Sequence, residues 1–350
     1  PGIEQFTIAR GRWHRLLDAV LARLAGAPAD DVSAGLAARW LTPSFGRVAR
    51  QELARADAVV LVQPYLWPQL RAMGCPLPPV LLDAQNNEAA LRRTLFRRWP
   101  VGPLLARWVA ATERAAVRGA TRILAATPAV AESLAAATSR RPAHFLAVGN
   151  TPGLPAGAPL PADDRPTRRA VLGLSTGPVA VFLGSGHPPN QIAARLIAGP
   201  LAAALPGIQF VLIGECALGL PPAPPPANVV VLGPVEDSVR AAVLGAADIG
   251  LNPLAEGGGS SVKLIDYLGA GLWVVATPVG ARGYDVAPPT VTVVEEDHLA
   301  AAVQATLDRR AATPSAAELA ASEARRLGDP ATCMAELPAA LRRFAAATSR

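Results

Sequence analysis

Lysine is nearly absent from this chain: Lys263 is the only one among 33 basic residues, and all the others are arginine. Cysteine is almost as scarce. Cys75, Cys216 and Cys333 are scattered, with no Cys-x-x-Cys pair and no histidine at metal-ligand spacing. That argues against a disulfide framework or a zinc site and fits a reducing cytosol, so a cytoplasmic location is expected. No uninterrupted apolar run reaches the ~18 residues of a membrane span, and nothing at the start reads as a signal peptide. No Asp-x-Asp stands at the end of an apolar strand, so no metal is expected. There are no internal repeats.

What is present is bulk hydrophobic sequence. Of 350 residues 51% are hydrophobic and only 17% charged, which describes a well-buried globular chain of about two domains rather than a disordered one. The net charge is +6. An anionic substrate, a membrane surface or nucleic acid would each suit that excess. The codon bias of a GC-rich genome also accounts for a chain rich in Ala, Arg and Pro, and no nucleic-acid partner is expected.

The chain is organised around residues 249–284, IGLNPLAEGGGSSVKLIDYLGAGLWVVATPVGARGY. An apolar strand, Ile249 to Leu251, ends at Asn252-Pro253. The run Gly257, Gly258, Gly259 follows, and a helix starts with Ser260 or Ser261 as its N-cap. Leu264, Ile265 and Leu268 make its apolar side; Lys263, Asp266 and Tyr267 share the other. Gly269 and Gly271 stop it, and WVVATP reads as the next buried strand. Glycines that admit a close ligand, free N–H groups at a helix start and one ammonium suit a phosphate. A glycine loop before an ordinary surface helix is the other reading.

Upstream, RWHRLLDAVLARL (12–24) has helical spacing, with His14 as a surface or packing residue. ADAVVLVQPYLWPQL (56–70) begins with a buried strand. PVLLDAQNNEAALRRTLF (79–96) is a strand, an abrupt polar turn and a helix; Asn86 and Asn87 are cap candidates. LRRTLFRRWP (91–100) carries Arg92, Arg93, Arg97 and Arg98 among apolar residues. It reads as a helix touching an anionic bilayer or lipid-phosphate acceptor, or as a solvated face. The following alternation of helices and strands predicts parallel sheets covered by helices. Residues 151–169, with five prolines, read as a linker. GPVAVFLGSGHPPNQIAARL opens the second domain. Its Gly184-Ser185-Gly186 is not a dinucleotide fingerprint, because Pro189 stands at the third glycine position. IQFVLIGE and NVVVLG are further strands that read as buried.

The stretch 253–283 resembles the nucleotide-sugar segment of retaining group 1 (family 4-like) glycosyltransferases of the GT-B fold. Lys263 falls on the pattern's lysine and Asp266 on its acidic position; Gly271 and Gly280 also match. Gly184, Ser185, His187, Pro189 and Asn190 follow the group's G-S-x-H-x-P-N. Asp83, Gln85, Asn86 and Glu88 follow its Asp-x-His-Asn-x-Glu, with Gln85 in place of histidine. Nine residues separate Glu256 from Asp266 where relatives have seven, and Trp273 replaces a usual proline.

The resemblance implies an α/β GT-B fold of two Rossmann-like domains facing a cleft. They would be an acceptor-side domain at 1–150, a linker at 151–169, a nucleotide-sugar domain at 170–328 and a C-terminal helix at 329–350 that crosses back. A first strand and glycine loop that relatives carry is not found near Pro1, so the N-terminal domain is expected to be incomplete. The activity implied is sugar transfer from a nucleoside-diphosphate sugar to a glycan, lipid or small-molecule acceptor, with retention and without metal or other cofactor.

In that reading Gly184, Ser185, Gly186, His187 and Asn190 face the diphosphate from one side. Gly257, Gly258, Gly259, Ser260, Ser261 and Lys263 face it from the other. Gly233 and Val235 lie by the base, Asp266 takes the ribose hydroxyls, and Glu256 holds a sugar hydroxyl. Gln85, Asn86 and Glu88 line the acceptor side. An epimerase on the same fold, recruiting Glu88, Glu256 and His187, and a noncatalytic nucleotide- or partner-binding protein are the alternatives. Peripheral contact with an anionic membrane is a further expectation.

Overall fold

The computed structural model describes residues 4–96, 101–150, 164–328 and 333–348. These fall into two compact units. One holds the chain up to Gly149 and again from Met334; the other runs from Asn150 to Cys333. Of the expected linker, residues 151–163 lie outside the described residues, as do 329–332 of the expected C-terminal segment. Arg165–Leu172 is a helix of the second unit, not linker. Its Pro166 sits in the first turn, where proline costs no hydrogen bond. Arg169 anchors it through the Asp248 carboxylate at 2.6 Å and the Ala246 and Gly177 carbonyls at 2.8 Å.

The first unit opens with three helices, Arg12–Ala25, Asp30–Leu41 and Pro43–Leu53. His14 is a buried packing residue, 2.7 Å from the Thr42 hydroxyl through Nδ1. Four parallel strands follow in sheet order β1 (Val59–Val62), β2 (Val80–Ala84), β3 (Arg122–Ala125) and β4 (Phe145–Ala147). β1 is not the buried strand its apolar run predicts. Among the described residues it pairs only with β2, and Val60 and Val62 on one face are 60% and 61% exposed. The helix Leu337–Thr348 also belongs to this unit.

The basic helix expected at 91–100 is corrected in its described part, Glu88–Leu95. Arg92 points into the unit: its Nε donates to the Tyr65 hydroxyl at 2.7 Å and its Nη2 pairs with Asp31 at 3.0 Å. A buried guanidinium already satisfied by protein partners is not available to a bilayer. Arg97, Arg98 and Trp99 lie outside the described residues.

The second unit is a doubly wound parallel sheet. Its strands are β5 (Val179–Leu183), β6 (Gln209–Ile213), β7 (Val229–Gly233), β8 (Ile249–Asn252), β9 (Trp273–Ala276) and β10 (Val291–Val293), in the order β10-β9-β8-β5-β6-β7. Every residue of β5, β8 and β9 is buried; covered on both faces, such strands read as unbroken apolar runs. Each large apolar side chain so buried contributes about 1.5–3 kcal/mol. β7, expected to be buried, is the sheet edge instead, with Val231 and Leu232 exposed. Winding reverses between β5 and β8, so the loops leaving their carboxyl ends diverge there. In open α/β sheets that is where a ligand crevice forms.

Candidate donor site at the switch point

Tyr267 sets the two strands at the reversal. Its helix, Val262–Gly269, packs Leu264, Ile265 and Leu268 fully into the core. Tyr267 does not share an outer side with Lys263 as helical spacing suggests; it is fully buried too. The ring lies against Gly250 of β8, where an added Cβ would come within 2.4 Å of it. Its hydroxyl accepts from the Leu183 amide at the end of β5, at 2.7 Å. Burial pushes the phenol well above its usual range. The helix stops as expected: Gly271 has φ +78°, and the Leu272 amide turns back to the Tyr267 carbonyl at 3.0 Å. Trp273, at the position where relatives carry proline, donates its indole N–H to the Ala316 carbonyl at 3.0 Å.

Lys263 is not the exposed first-turn residue that its position suggests. Its ammonium donates to Asn190 Oδ1 at 2.7 Å and lies 4.5 Å from the centroid of the Phe182 ring. Asn190 in turn donates to Ser185 Oγ at 2.9 Å, and Gln191 donates to the Gly186 carbonyl at 2.7 Å. The loop Gly184–His187 after β5 is thereby tied to the Lys263 helix across 73 residues of sequence. Burial brings the Lys263 pKa down to about 7, Arg282 adds to that, and Cys216 opposes it. An ammonium held in a partly dry site binds an anion more strongly than one in water. Gly184 is required by packing, since a Cβ there would lie 2.5 Å from that of Cys216. His187 is the exposed N-cap of the helix Pro188–Leu196.

The glycine loop is fixed from beneath. Asn252, fully buried at the end of β8, donates to Ser261 Oγ and to the Gly280 carbonyl, each at 2.6 Å. Ser261 is the N-cap residue, but its hydroxyl is held by Asn252 and makes no side-chain cap bond. Ser260 Oγ accepts from the Asn150 amide group. Gly259 has φ +63°, a left-handed conformation that side chains resist. Arg282 clamps the loop: its Nε donates to the Gly258 carbonyl at 2.9 Å, and its own carbonyl accepts from the Ser261 amide at 3.1 Å. One of the helix-start amides is therefore already occupied.

Asp266 is 8% exposed on the Lys263 helix, and Glu256 lies half-buried in the loop after β8. Gly233, with φ +66°, ends the edge strand and accepts from the Gly214 amide at 2.7 Å; Val235 follows it. Among the described residues no three His, Cys, Asp or Glu side chains converge as metal ligands. No helix among them is long and apolar enough to cross a membrane.

Gln85, Asn86 and Glu88 lie in the first unit, and Glu88 is built into its interior. Its carboxylate accepts from the Tyr65 hydroxyl and, at 3.1 Å, from Asn86 Nδ2. Gln85 donates to Asp83 at 2.7 Å. Asn87 is the N-cap, accepting from the Ala90 amide at 2.8 Å. Glu113 accepts from the Glu88 amide at 2.6 Å and from the Ala89 amide at 3.2 Å, and burial pushes its pKa up to about 7. Sequence reasoning missed Asn252, Arg282 and Glu113. The one signal was the Asn252-Pro253 strand end.

Two Rossmann-like α/β units, the second doubly wound with glycine loops at its switch point, constitute the GT-B fold of glycosyltransferases. Residues 177–309, within the second unit, match the family Glycosyl transferases group 1. Anabaena HepE, solved with UDP-glucose, is 15% identical with a TM-score of 0.67, covering 97% of this chain and 98% of that one. Sucrose-phosphate synthase from Thermosynechococcus elongatus is 16% identical, TM-score 0.69, covering 87% and 78%. WaaG, a glycosyltransferase involved in lipopolysaccharide biosynthesis, is 17% identical, TM-score 0.63, covering 85% and 81%. No curated protein sequence matches the chain.

Proposed function

We propose that this protein transfers a sugar from a nucleoside-diphosphate sugar to an acceptor hydroxyl, with retention and without a metal ion. The observation that carries the reading is the Lys263–Asn190 contact, which brings the only lysine of the chain onto the start of the helix that follows β5. Negative charge grows on the departing diphosphate in the transition state. Fixed positive groups there lower the barrier more than they stabilise the bound substrate. Lys263 is the catalytic cation in this proposal. The Gly257–Ser260 segment and the Gly184–His187 loop hold the diphosphate, with Asn190 aiming Lys263. Asp266 serves the ribose, Glu256 a sugar hydroxyl, and Gly233 and Val235 the base. Gln85 and Asn86 serve the acceptor, with Glu88 fixing their turn from inside.

HepE is described with UDP and UDP-glucose, which makes a UDP-sugar the first donor to test here. The decisive assay incubates the protein with UDP-glucose in EDTA, with and without candidate glycan and lipid acceptors, and identifies the products. Transfer or slow hydrolysis releasing UDP supports the reading. An isomerised UDP-sugar with no UDP released would replace it with an epimerase. No reaction of UDP-, GDP-, ADP- or dTDP-sugars would refute it.

A further inference from the structure

Arg282 touches the glycine loop with both its backbone and its side chain. Its carbonyl holds the Ser261 amide at 3.1 Å, where the helix begins. Its Nε donates to the Gly258 carbonyl at 2.9 Å, and its Nη1 to the Val279 carbonyl at 2.7 Å. The guanidinium is pressed against Gly257 so closely that an added Cβ would lie 2.7 Å from its central carbon. One residue thus holds the loop at Gly257, Gly258 and Ser261. Arg282 is partly buried, and burial holds its own pKa below the usual arginine range.

We propose that Arg282 is the positioning residue of the donor diphosphate site. It holds Gly257–Ser261 in the anion-binding shape, and a diphosphate bound there draws a proton onto Lys263, a transfer to which the Arg282 charge adds. The proposal rests on the reading of the second unit as a nucleotide-sugar site.

The proton follows from the surroundings of Lys263. It faces Asn190 from the helix after β5 and the neutral Phe182 ring of β5. The charged or titratable groups acting on it are Arg282 and Cys216. Burial pushes the Cys216 thiol up, so it is neutral near pH 7. The empty site therefore disfavours the ammonium, most through burial and further through the Arg282 charge. A diphosphate reverses the balance. With an empty-site pKa of about 7, binding at pH 8 takes up most of one proton.

The test uses UDP as the probe and calorimetry on the full chain in buffers of differing ionisation enthalpy, free of phosphate, from pH 6.5 to 9.5. The parent is expected to take up a proton on binding UDP, most strongly above pH 7. Arg282→Gln is expected to bind UDP at least about tenfold more weakly, because the loop loses a charge-assisted clamp. Removing the neighbouring charge raises the Lys263 pKa in the empty site, so the uptake maximum moves to higher pH. Arg282→Lys is expected to keep the uptake profile while losing affinity, because an ammonium cannot make the same fork. Should Arg282→Gln fail to fold, the Lys variant and the parent profile decide. UDP binding to the parent without proton uptake overturns the proposal while leaving the site standing, as does unchanged affinity in the variants. Failure of UDP and the other diphosphates to bind the parent overturns both.

Discussion

Lys263 Nζ donates to Asn190 Oδ1 at 2.7 Å, joining the helix after the glycine loop to the helix after β5. The two helices follow loops that leave the adjacent strands β8 and β5. Their contact turns a topological feature of the sheet into a local positive site.

Turnover should depend on that ammonium. Lys263→Ala is expected to lose about 3–4 kcal/mol of transition-state stabilisation, or 10²- to 10³-fold in kcat. Lys263→Arg should recover only part, since a planar guanidinium does not fill the place of a compact ammonium. Steady-state kinetics with the accepted donor check this; turnover within a few-fold of the parent for the alanine variant contradicts it.

The same lysine should cost stability when charged. Its folded pKa of about 7 lies below the unfolded value. Between about pH 7 and 10.4 the unfolded chain binds more protons, so this group's contribution improves as pH rises and its penalty is complete below pH 7. Lys263→Met is therefore expected to raise the urea midpoint more at pH 6.5 than at pH 10. An equal change at both pH values would remove the burial argument.

Asn252 supports the glycine loop through two donated hydrogen bonds. Asn252→Ala strands the Ser261 hydroxyl and the Gly280 carbonyl and is expected to cost about 1–3 kcal/mol. Asn252→Asp should cost more, since a carboxylate cannot donate to the Gly280 carbonyl and brings a buried charge. Denaturant unfolding of both variants provides the comparison; an aspartate variant as stable as the parent would show that Asn252 is not a donor here.

In the first unit, Glu113 caps the helix that follows the Gln85–Asn87 turn. Its folded pKa of about 7 lies above the unfolded one. The folded chain thus binds more protons between about pH 4.3 and 7, and the stability that proton brings is lost as pH rises through 7. The stability of the parent relative to Glu113→Gln is expected to fall from pH 5 to pH 8. Thermal unfolding across that range checks it, and a flat difference would place Glu113 in water.

Much of this was legible in the sequence. Continuous apolar runs announced β5, β8 and β9, and the glycine run, the solitary lysine and G-S-G-H-P-P-N marked the two loops. What was hidden is which face of an element is covered. Helical spacing put Tyr267 with Lys263 because spacing cannot tell that Gly250 leaves room for a ring. Arg92 read as a surface charge because its partners, Asp31 and Tyr65, are 61 and 27 residues away. β1 and β7 read as buried because an apolar run does not say whether a neighbour covers it. Arg282 and Asn252 act through backbone atoms distant in sequence, so no spacing rule reaches them.

The most direct measurement is the stability of the parent and of Lys263→Ala with UDP, GDP, ADP and dTDP, in EDTA. At ~100 times its dissociation constant, one of these is expected to stabilise the parent by about 2.7 kcal/mol. At the same concentration Lys263→Ala, folded, should gain much less. No stabilisation of the parent by any of the four, or an equal gain in the variant, would contradict the placing of a donor diphosphate at Lys263.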